Sequence, residues 1–434
     1  MEALIESLGG CEFLSPLRHQ HLGAEKYRTD EHRIIFDDSM EGVRDMFERG
    51  FKPLSFEMAG PRQRIYFDPP KTTAAIVTCG GLCPGLNDII RGIVMELYTR
   101  YGVTKIFGIR YGYEGLVPKY GHVPVTLKPD SVSTIHSFGG TILGSSRGPQ
   151  EIGEMVDHLE ELGVDLLFVI GGDGTLKGGA KINDEIRRRG LKKSVIGIPK
   201  TIDNDILYLD KSFGFETAFA EAVKAVSCAH VEAVGAVNGI GLVKLMGRDS
   251  GFIASYAALA GQHVNFCLIP EIPFHLEGAN GLLEQLRYRL AHRKHALIVV
   301  AEGAGQDLMD NGESKRTDAS GNKRLGDIGV FLKERITEFF KERRTHVNLK
   351  YIDPSYIIRS VPASPQDNVF CTQLAQNAVH AGLAGNTNML VGRWHGTFVH
   401  LPLQLVTKGR RRVDPAGDLW HAVIECTGQP TRWS

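Results

Sequence analysis

Residues 199–205 read PKTIDND, with two carboxylates at i and i+2, Asp203 and Asp205, beside Lys200 and Thr201. They follow the apolar run 195–198, so they lie in a loop at the end of a strand. One carboxylate can accept a proton from a substrate hydroxyl while the other orients it or helps a metal. Phosphoryl transfer asks little more of a protein than such a base, charge neutralisation and positioning. A second stretch, GGDGT at 171–175, follows the apolar run 166–170 directly. Glycines let the backbone approach a phosphate, and a helix starting there points free N–H groups at it. Asp173 is poor for holding an anion directly and makes sense with a Mg²⁺ between it and phosphate oxygens. The plainer alternative is a glycine-rich turn with an aspartate cap.

Weaker stretches share the same polarity. CGGLCPGLN at 79–87 is another glycine turn before a helical pattern, suited to phosphate but also common for steric reasons alone. GGTILGSSRG at 139–148 is a donor-rich loop in which Arg147 is either a surface charge or a phosphate clamp. Arg248, in MGRDSG, and Glu302 follow two later apolar runs, and each alone is more often structural. Lys350, Tyr356 and Arg359 supply two cations and a phenol, which an anionic, hydroxylated ligand would want.

The elements that must position these groups alternate strand and helix. Strands are expected at 74–78, 106–110, 166–170 and 195–198, with helices at 88–100, 151–162 and from GGDGT to about 189. A second run repeats the plan. Helices at 215–232, 252–260 and 278–293 alternate with strands at 239–245, 265–269 and 296–300. Helices at 327–343 and 369–383 and strands at 389–391 and 398–403 follow. Chemistry thus gathers at the carboxyl ends of strands, where open α/β sheets bind ligands. The fold class is α/β, with two Rossmann-like three-layer αβα domains. The expected division is an N-terminal extension at 1–72, a phosphoryl-donor domain at 73–208 with 385–406 returning to it, a sugar-phosphate domain at 209–384, and a tail at 407–434. The extension holds one helix within 36–50 and a proline-punctuated linker at 61–71, packed on the core or on a neighbouring subunit. Residues 306–324 are expected to form an exposed, mobile loop.

Composition bounds the partners. The chain has 434 residues, enough for two or three domains, with 42% hydrophobic and 23% charged residues. Lys+Arg and Asp+Glu are both 50, which argues against a broad nucleic-acid or membrane surface and leaves room for a local basic pocket. The basic run at 408–412 is expected to be solvated surface or an oligomer contact. The 7 cysteines lack regular spacing and suit reduced thiols in a cytoplasmic protein. Cys79 and Cys83 lack partners at metal-ligand spacing. No secretory leader and no apolar stretch of about 18 residues is visible.

Six segments, GGLCPGLN, GIRYGYEGL, GGDGT, PKTIDND, MGRDSG and KYIDPSYIIR, spread over 79–359, together resemble the 6-phosphofructokinase family. The extension and the KYIDPSY segment are similar to its plant and trypanosomatid branch. The resemblance implies two αβ domains with a cleft, and transfer from ATP to the 1-hydroxyl of fructose 6-phosphate, a glycolytic step. Asp203 resembles the base, with Thr201 and Asp205 in support and Ile202 beside the sugar. Asp173 is similar to the Mg²⁺-linked aspartate. Gly81, Tyr113, Arg147, Gly148, Gly172, Asp173, Gly174 and Thr175 would contact the donor. Arg248 would stabilise the transferred phosphoryl. Met246, Gly247, Glu302, Tyr356 and Arg359 would hold the sugar phosphate, and Lys350 would reach its 6-phosphate from a neighbouring subunit. The family implies a cytoplasmic homo-oligomer, dimer or tetramer, under allosteric control. Short bacterial members carry histidine at Tyr356, arginine at Lys350 and a bridging arginine near Gly239, so their cooperative behaviour does not carry over at these positions.

The family uses ATP or pyrophosphate. Pyrophosphate users resemble each other in having Asp where this chain has Gly174 and Lys where it has Lys200, whereas short ATP enzymes have glycine at both. The chain is mixed. An aspartate at 174 would crowd and repel the α-phosphate, since like charges at about 4 Å cost roughly 4 kcal/mol at an intermediate dielectric. Gly174 therefore favours ATP, and Lys200, as a flexible cation, is compatible with either donor. An NAD or lipid kinase built on GGDGT would leave MGRDSG and KYIDPSYIIR unexplained. A non-catalytic regulatory subunit would be expected to lack one of Asp173, Asp203, Asp205 and Arg248.

Overall fold

The apolar runs of the first half become strands buried on both faces, as parallel sheets covered by helices require. The structure is a computed structural model describing residues 3–17, 27–50, 53–309 and 324–433. The expected loop at 306–324 lies largely outside the described residues, apart from a short turn at Gln306–Met309.

The chain forms two compact units. The first comprises Met1–Thr201, Ile206–Gly214 and Val361–Gly409. Among the described residues it carries a nine-stranded sheet in the order Arg33–Ile35, Ser55–Met58, Thr397–Pro402, Met389–Trp394, Ser194–Pro199, Leu166–Gly171, Thr73–Thr78, Lys105–Ile109 and Val125–Thr126. From Met389–Trp394 to Lys105–Ile109 the pairing is parallel. Gly171 is level with Pro199, and Ile170 with Thr78, so the turns after three strands emerge side by side. The helix Asp173–Arg188 packs Leu176, Ile182 and Ile186 inward and ends on Arg187 and Arg188, which suit the negative end of its dipole.

The second unit comprises Ile202–Asp205, Phe215–Ser360 and Arg410–Ser434. Its four-stranded parallel sheet runs Phe266–Leu268, His295–Ala301, Gly239–Leu245 and Asn348–Ile352. Leu245 is level with Ala301, which places Met246 and Glu302 at the same edge. The second unit's sheet is parallel and the first unit's is parallel at its centre with antiparallel edges, both of the expected α/β type.

Three expectations need correction. Residues 1–72 pack on the core, as one of the expected alternatives had it, but belong to the first unit rather than forming a division of their own. Ser55–Met58 continues the large sheet antiparallel to Thr397–Pro402, Arg33–Ile35 pairs antiparallel with Ser55–Met58, and Glu6–Ser7 pairs with Asn386–Thr387. The stretch 61–71 is not a linker either: Arg62, Ile65, Phe67 and Pro69 are buried, and Arg64–Ile65 pairs with Phe13–Leu14. Residues 361–384, expected in the sugar-phosphate domain, belong to the first unit. Their helix Pro365–Leu383 lies on Leu86–Met95 so closely that a Cβ at Gly92 would meet the Ala375 Cβ at 2.6 Å.

The tail from 407 also acquires structure. The helix Asp418–Thr427 buries Trp420 and Val423 in the second unit. Gln429 bonds both backbone groups of Cys267 at 2.6 and 3.1 Å, which satisfies the edge of the smaller sheet. Trp433 sits by Phe266 and Phe274. Among the described residues no helix is long and apolar enough to cross a membrane.

Candidate active site

In the first unit the site grows from three turns at adjacent strand ends. Gly172 precedes the helix, so Asp173, Gly174 and Thr175 form its first turn rather than a loop before it, and first-turn N–H groups have no carbonyl partner within the helix. The Asp173 carboxylate accepts from Lys177 Nζ at 2.8 Å, one helical turn away. A Cβ built on Gly174 would meet nothing within 4 Å. Tyr113 is buried in the core, and its hydroxyl donates to the Thr175 carbonyl at 2.7 Å, so the phenol braces the helix start.

The 79–87 turn is tied to the 139–148 loop. Ser145 Oγ donates to the Gly80 carbonyl at 2.6 Å, Gly80 N–H to Ser146 O at 3.0 Å, and Thr78 Oγ1 to Gly144 O at 2.7 Å. Asn87 donates to Phe138 O and accepts from Ile142 N–H. Gly81, Arg147 and Gly148 therefore belong to one stitched loop pair, with Arg147 exposed. Lys200 departs from its expected flexibility. It is buried, and its ammonium donates to the Gly81 carbonyl at 2.7 Å. Its own N–H donates to Gly171 O at 3.0 Å, so it locks the 79–87 turn against the GGDGT strand end. Burial pushes the neighbouring Cys79 thiol up to about 12.

The PKTIDND segment is where the chain passes from the first unit to the second: Thr201 ends one stretch and Ile202 begins the other. In the second unit Ser250 Oγ donates to the Asp203 carbonyl at 2.9 Å, joining MGRDSG to this segment. Glu302 N–H donates to Leu245 O, and Gly303 N–H to Gly247 O at 3.1 Å. A Cβ at Gly303 would lie 1.9 Å from the Arg248 carbonyl, so glycine is required for these two turns to touch. Gly247 itself has φ 130°, a backbone that side chains rarely adopt.

Charge is concentrated here. One carboxylate oxygen of Asp203 is closed off from solvent. Burial, reinforced by the negative charges of Asp205 and Glu302, raises the Asp203 pKa to about 8. Burial also raises Glu302, opposed by the cations Arg248, Lys244 and Arg359. Asp203, Asp205, Arg248, Glu302 and Arg359 are thereby brought into one electrostatic neighbourhood. The Arg359 guanidinium lies over the Tyr356 ring, 4.9 Å from its centroid, with that ring largely exposed. Lys350 is exposed on the edge strand, and among the described residues no hydrogen bond or ion pair of its side chain ties it to this group.

Sequence reasoning missed Arg410. The basic run 408–412 is not all solvated surface: Arg410 Nη1 lies 2.8 Å from Asp205 Oδ2 and 2.9 Å from Asp249 Oδ2. No local signal marks it, because its partners are distant in sequence.

Comparison with known proteins gives the family of the chain. The family described as Phosphofructokinase matches residues 73–382. A Borreliella burgdorferi protein named ATP-dependent 6-phosphofructokinase is 49% identical over 434 residues, covering 98% of this chain and 96% of that protein. A protein of the same name from Trypanosoma cruzi is 45% identical over 427 residues, covering 98% and 87%. Among solved structures, a pyrophosphate-dependent phosphofructokinase from Nitrosospira multiformis is alike with a TM-score of 0.67 at 17% identity, covering 84% of this chain and 93% of that one. At that identity the likeness speaks for the fold alone. With the signature spanning most of the chain and relatives near half identity along almost its whole length, the chain belongs to the phosphofructokinase family.

Proposed function

We propose that this chain transfers the γ-phosphoryl group of ATP to the 1-hydroxyl of D-fructose 6-phosphate, giving fructose 1,6-bisphosphate and ADP. The observation that carries the reading is Asp203, a carboxylate raised to about 8 by burial and by the charges of Asp205 and Glu302. A base poised near neutrality can both take a proton and release it. Asp203 accepts the hydroxyl proton as the sugar oxygen bonds to the γ-phosphorus and the bond from that phosphorus to the bridging oxygen of ADP breaks. Thr201 and Asp205 orient Asp203, and Ile202 contacts the sugar. Arg248 balances the charge spreading over the phosphoryl oxygens.

Met246, Gly247, Glu302, Tyr356 and Arg359 hold the sugar phosphate. Gly81, Arg147, Gly148 and the helix start at Gly172, Asp173, Gly174 and Thr175 receive the donor phosphates, and Tyr113 supports that helix start from behind. The open space at Gly174 favours a nucleotide over pyrophosphate. Named relatives that are ATP-dependent support the same donor.

A Mg²⁺ suits the donor set. Asp173 offers one carboxylate at the helix start, and among the described residues no three His, Cys, Asp or Glu side chains form a metal cage. One carboxylate plus phosphate oxygens is a common way to hold Mg²⁺. When bound, the ion would neutralise charge on the donor phosphates. We assign no other carboxylate to it.

The working form is a cytoplasmic homo-oligomer in which the exposed Lys350 serves the 6-phosphate of a neighbouring subunit's site. All seven cysteines are free thiols, as a reducing compartment allows. Asp203→Ala tests the reading: turnover should fall at least about a thousandfold, with fructose 6-phosphate binding by calorimetry retained. A variant with near-parental turnover removes Asp203 as the base.

A further inference from the structure

Residues 410–413 touch the 203–205 segment, residues 249–252 and Glu271 of the second unit. Arg411 N–H donates to the Asp205 carbonyl at 2.8 Å, and its guanidinium lies over the Phe252 ring, 4.7 Å from the centroid. Val413 N–H donates to Glu271 Oε1 at 2.8 Å, and the same oxygen accepts from Gly251 N–H at 3.0 Å. One guanidinium nitrogen of Arg410 reaches both Asp205 and Asp249. Asp205 is buried, Arg410 and Asp249 are half-buried, and Lys408 and Arg412 on either side are exposed. Among the described residues, Arg410 and Arg411 of the basic run reach the 203–205 segment.

We propose that Arg410 is a positioning residue for phosphoryl transfer: by bridging Asp205 and Asp249 it holds the 203–205 segment against the MGRDSG turn, so that Asp203 faces the substrate hydroxyl. The inference rests on Asp203 being the base. The bridge is placed for this role in two ways. It anchors Asp205 two residues from the base at both ends, since Arg410 takes the carboxylate and Arg411 the carbonyl. It also supplies positive charge against the carboxylates acting on Asp203. Asp205 acts from its own segment, Glu302 from the turn after His295–Ala301 and Asp249 from the turn after Gly239–Leu245, all negative, while Arg410 from the C-terminal strap opposes them. Removing the guanidinium leaves three carboxylates around a fourth, and each makes ionising Asp203 harder.

A structural brace alone and a positioning residue predict different kinetics. Arg410→Met should lower kcat about tenfold at pH 6.5 and less than about threefold at pH 9, as expected if the base must be ionised and its titration moves up by roughly one pH unit. The KM for fructose 6-phosphate should stay within about threefold, because the sugar-holding residues are untouched. Arg410→Lys should restore kcat to within about threefold at both pH values, since one ammonium can bridge two carboxylates. Should Arg410→Met melt below the assay temperature, Arg410→Gln carries the same comparison. Parental kcat at both pH values, or a loss equal at pH 6.5 and pH 9 that Lys does not restore, overturns the inference. Asp203→Ala, assayed alongside, separates the two claims. Retained turnover there sinks the base itself, whereas an inactive Asp203→Ala with a parental Arg410→Met sinks only the role of Arg410.

Discussion

The Lys200 ammonium donates to the Gly81 carbonyl oxygen at 2.7 Å from a buried position. A lysine that looks in sequence like a free cation for phosphate is thus used to hold one donor turn in place. Lys200→Met should raise the KM for ATP about tenfold while moving that for fructose 6-phosphate less than about twofold, because it disturbs the backbone of the 79–87 turn. Steady-state kinetics with each substrate varied in turn checks this. Unchanged ATP kinetics would show that the turn holds without the lysine.

Gly174 faces open space, so a side chain there meets ligand and not protein. Gly174→Asp should leave the melting temperature unchanged or slightly higher, since a carboxylate in the first turn of a helix is favoured by about 0.3–1 kcal/mol. It should cut kcat/KM for ATP by about a hundredfold or more through repulsion of the α-phosphate. Pyrophosphate turnover should suffer far less. Equal losses with both donors would defeat the steric and charge argument.

The raised Asp203 also fixes a pH dependence. The ratio kcat/KM for fructose 6-phosphate reports the free enzyme, so its acid limb should fall as pH drops below about 8, rather than near the usual carboxylate range. The stability sign is opposite. The folded state binds this proton more tightly than the unfolded chain, so stability is lost as pH rises from the ordinary carboxylate pKa toward about 8. Asp203→Asn should therefore raise the melting temperature more at pH 9 than at pH 5. A pH-independent kcat/KM down to pH 5 contradicts this assignment.

The N-terminal strands predict a stability effect far from the chemistry. Burial opposes ionisation of Glu57, yet the hydrogen bond from His400 at 2.9 Å and the charges of His400 and Arg62 keep its carboxyl below the usual range. Arg62 is paired with it and is also buried. Glu57→Ala should cost about 3–5 kcal/mol, because the buried guanidinium loses its buried carboxylate and is left with its pair to the exposed Asp30. Denaturant unfolding measures it, and a change below about 1 kcal/mol would mean that the segment is not part of the core.

What was legible in the sequence was whatever repeats locally. Apolar runs ending in glycine or carboxylate marked the strands Leu166–Gly171, Ser194–Pro199 and Gly239–Leu245 within a residue or two. The helix Pro365–Leu383 was legible as a helix, but not the core it joins, because that depends on Gly92 opposite Ala375. Arg33–Ile35 and Ser55–Met58 are too short for a period to show, and their place is set by pairing with Thr397–Pro402 and with each other. Arg410 was invisible as a site residue because Asp205 is 205 positions away in sequence. Lys200 was visible, but not the carbonyl it serves.

The most direct test of the account is turnover of fructose 6-phosphate with Mg²⁺, comparing ATP with pyrophosphate at matched concentrations. Fructose 1,6-bisphosphate should form with ATP far faster than with pyrophosphate, because Gly174 offers no side chain to crowd or repel the α-phosphate. Turnover with pyrophosphate alone would contradict it and move control of the donor from Gly174 to Lys200.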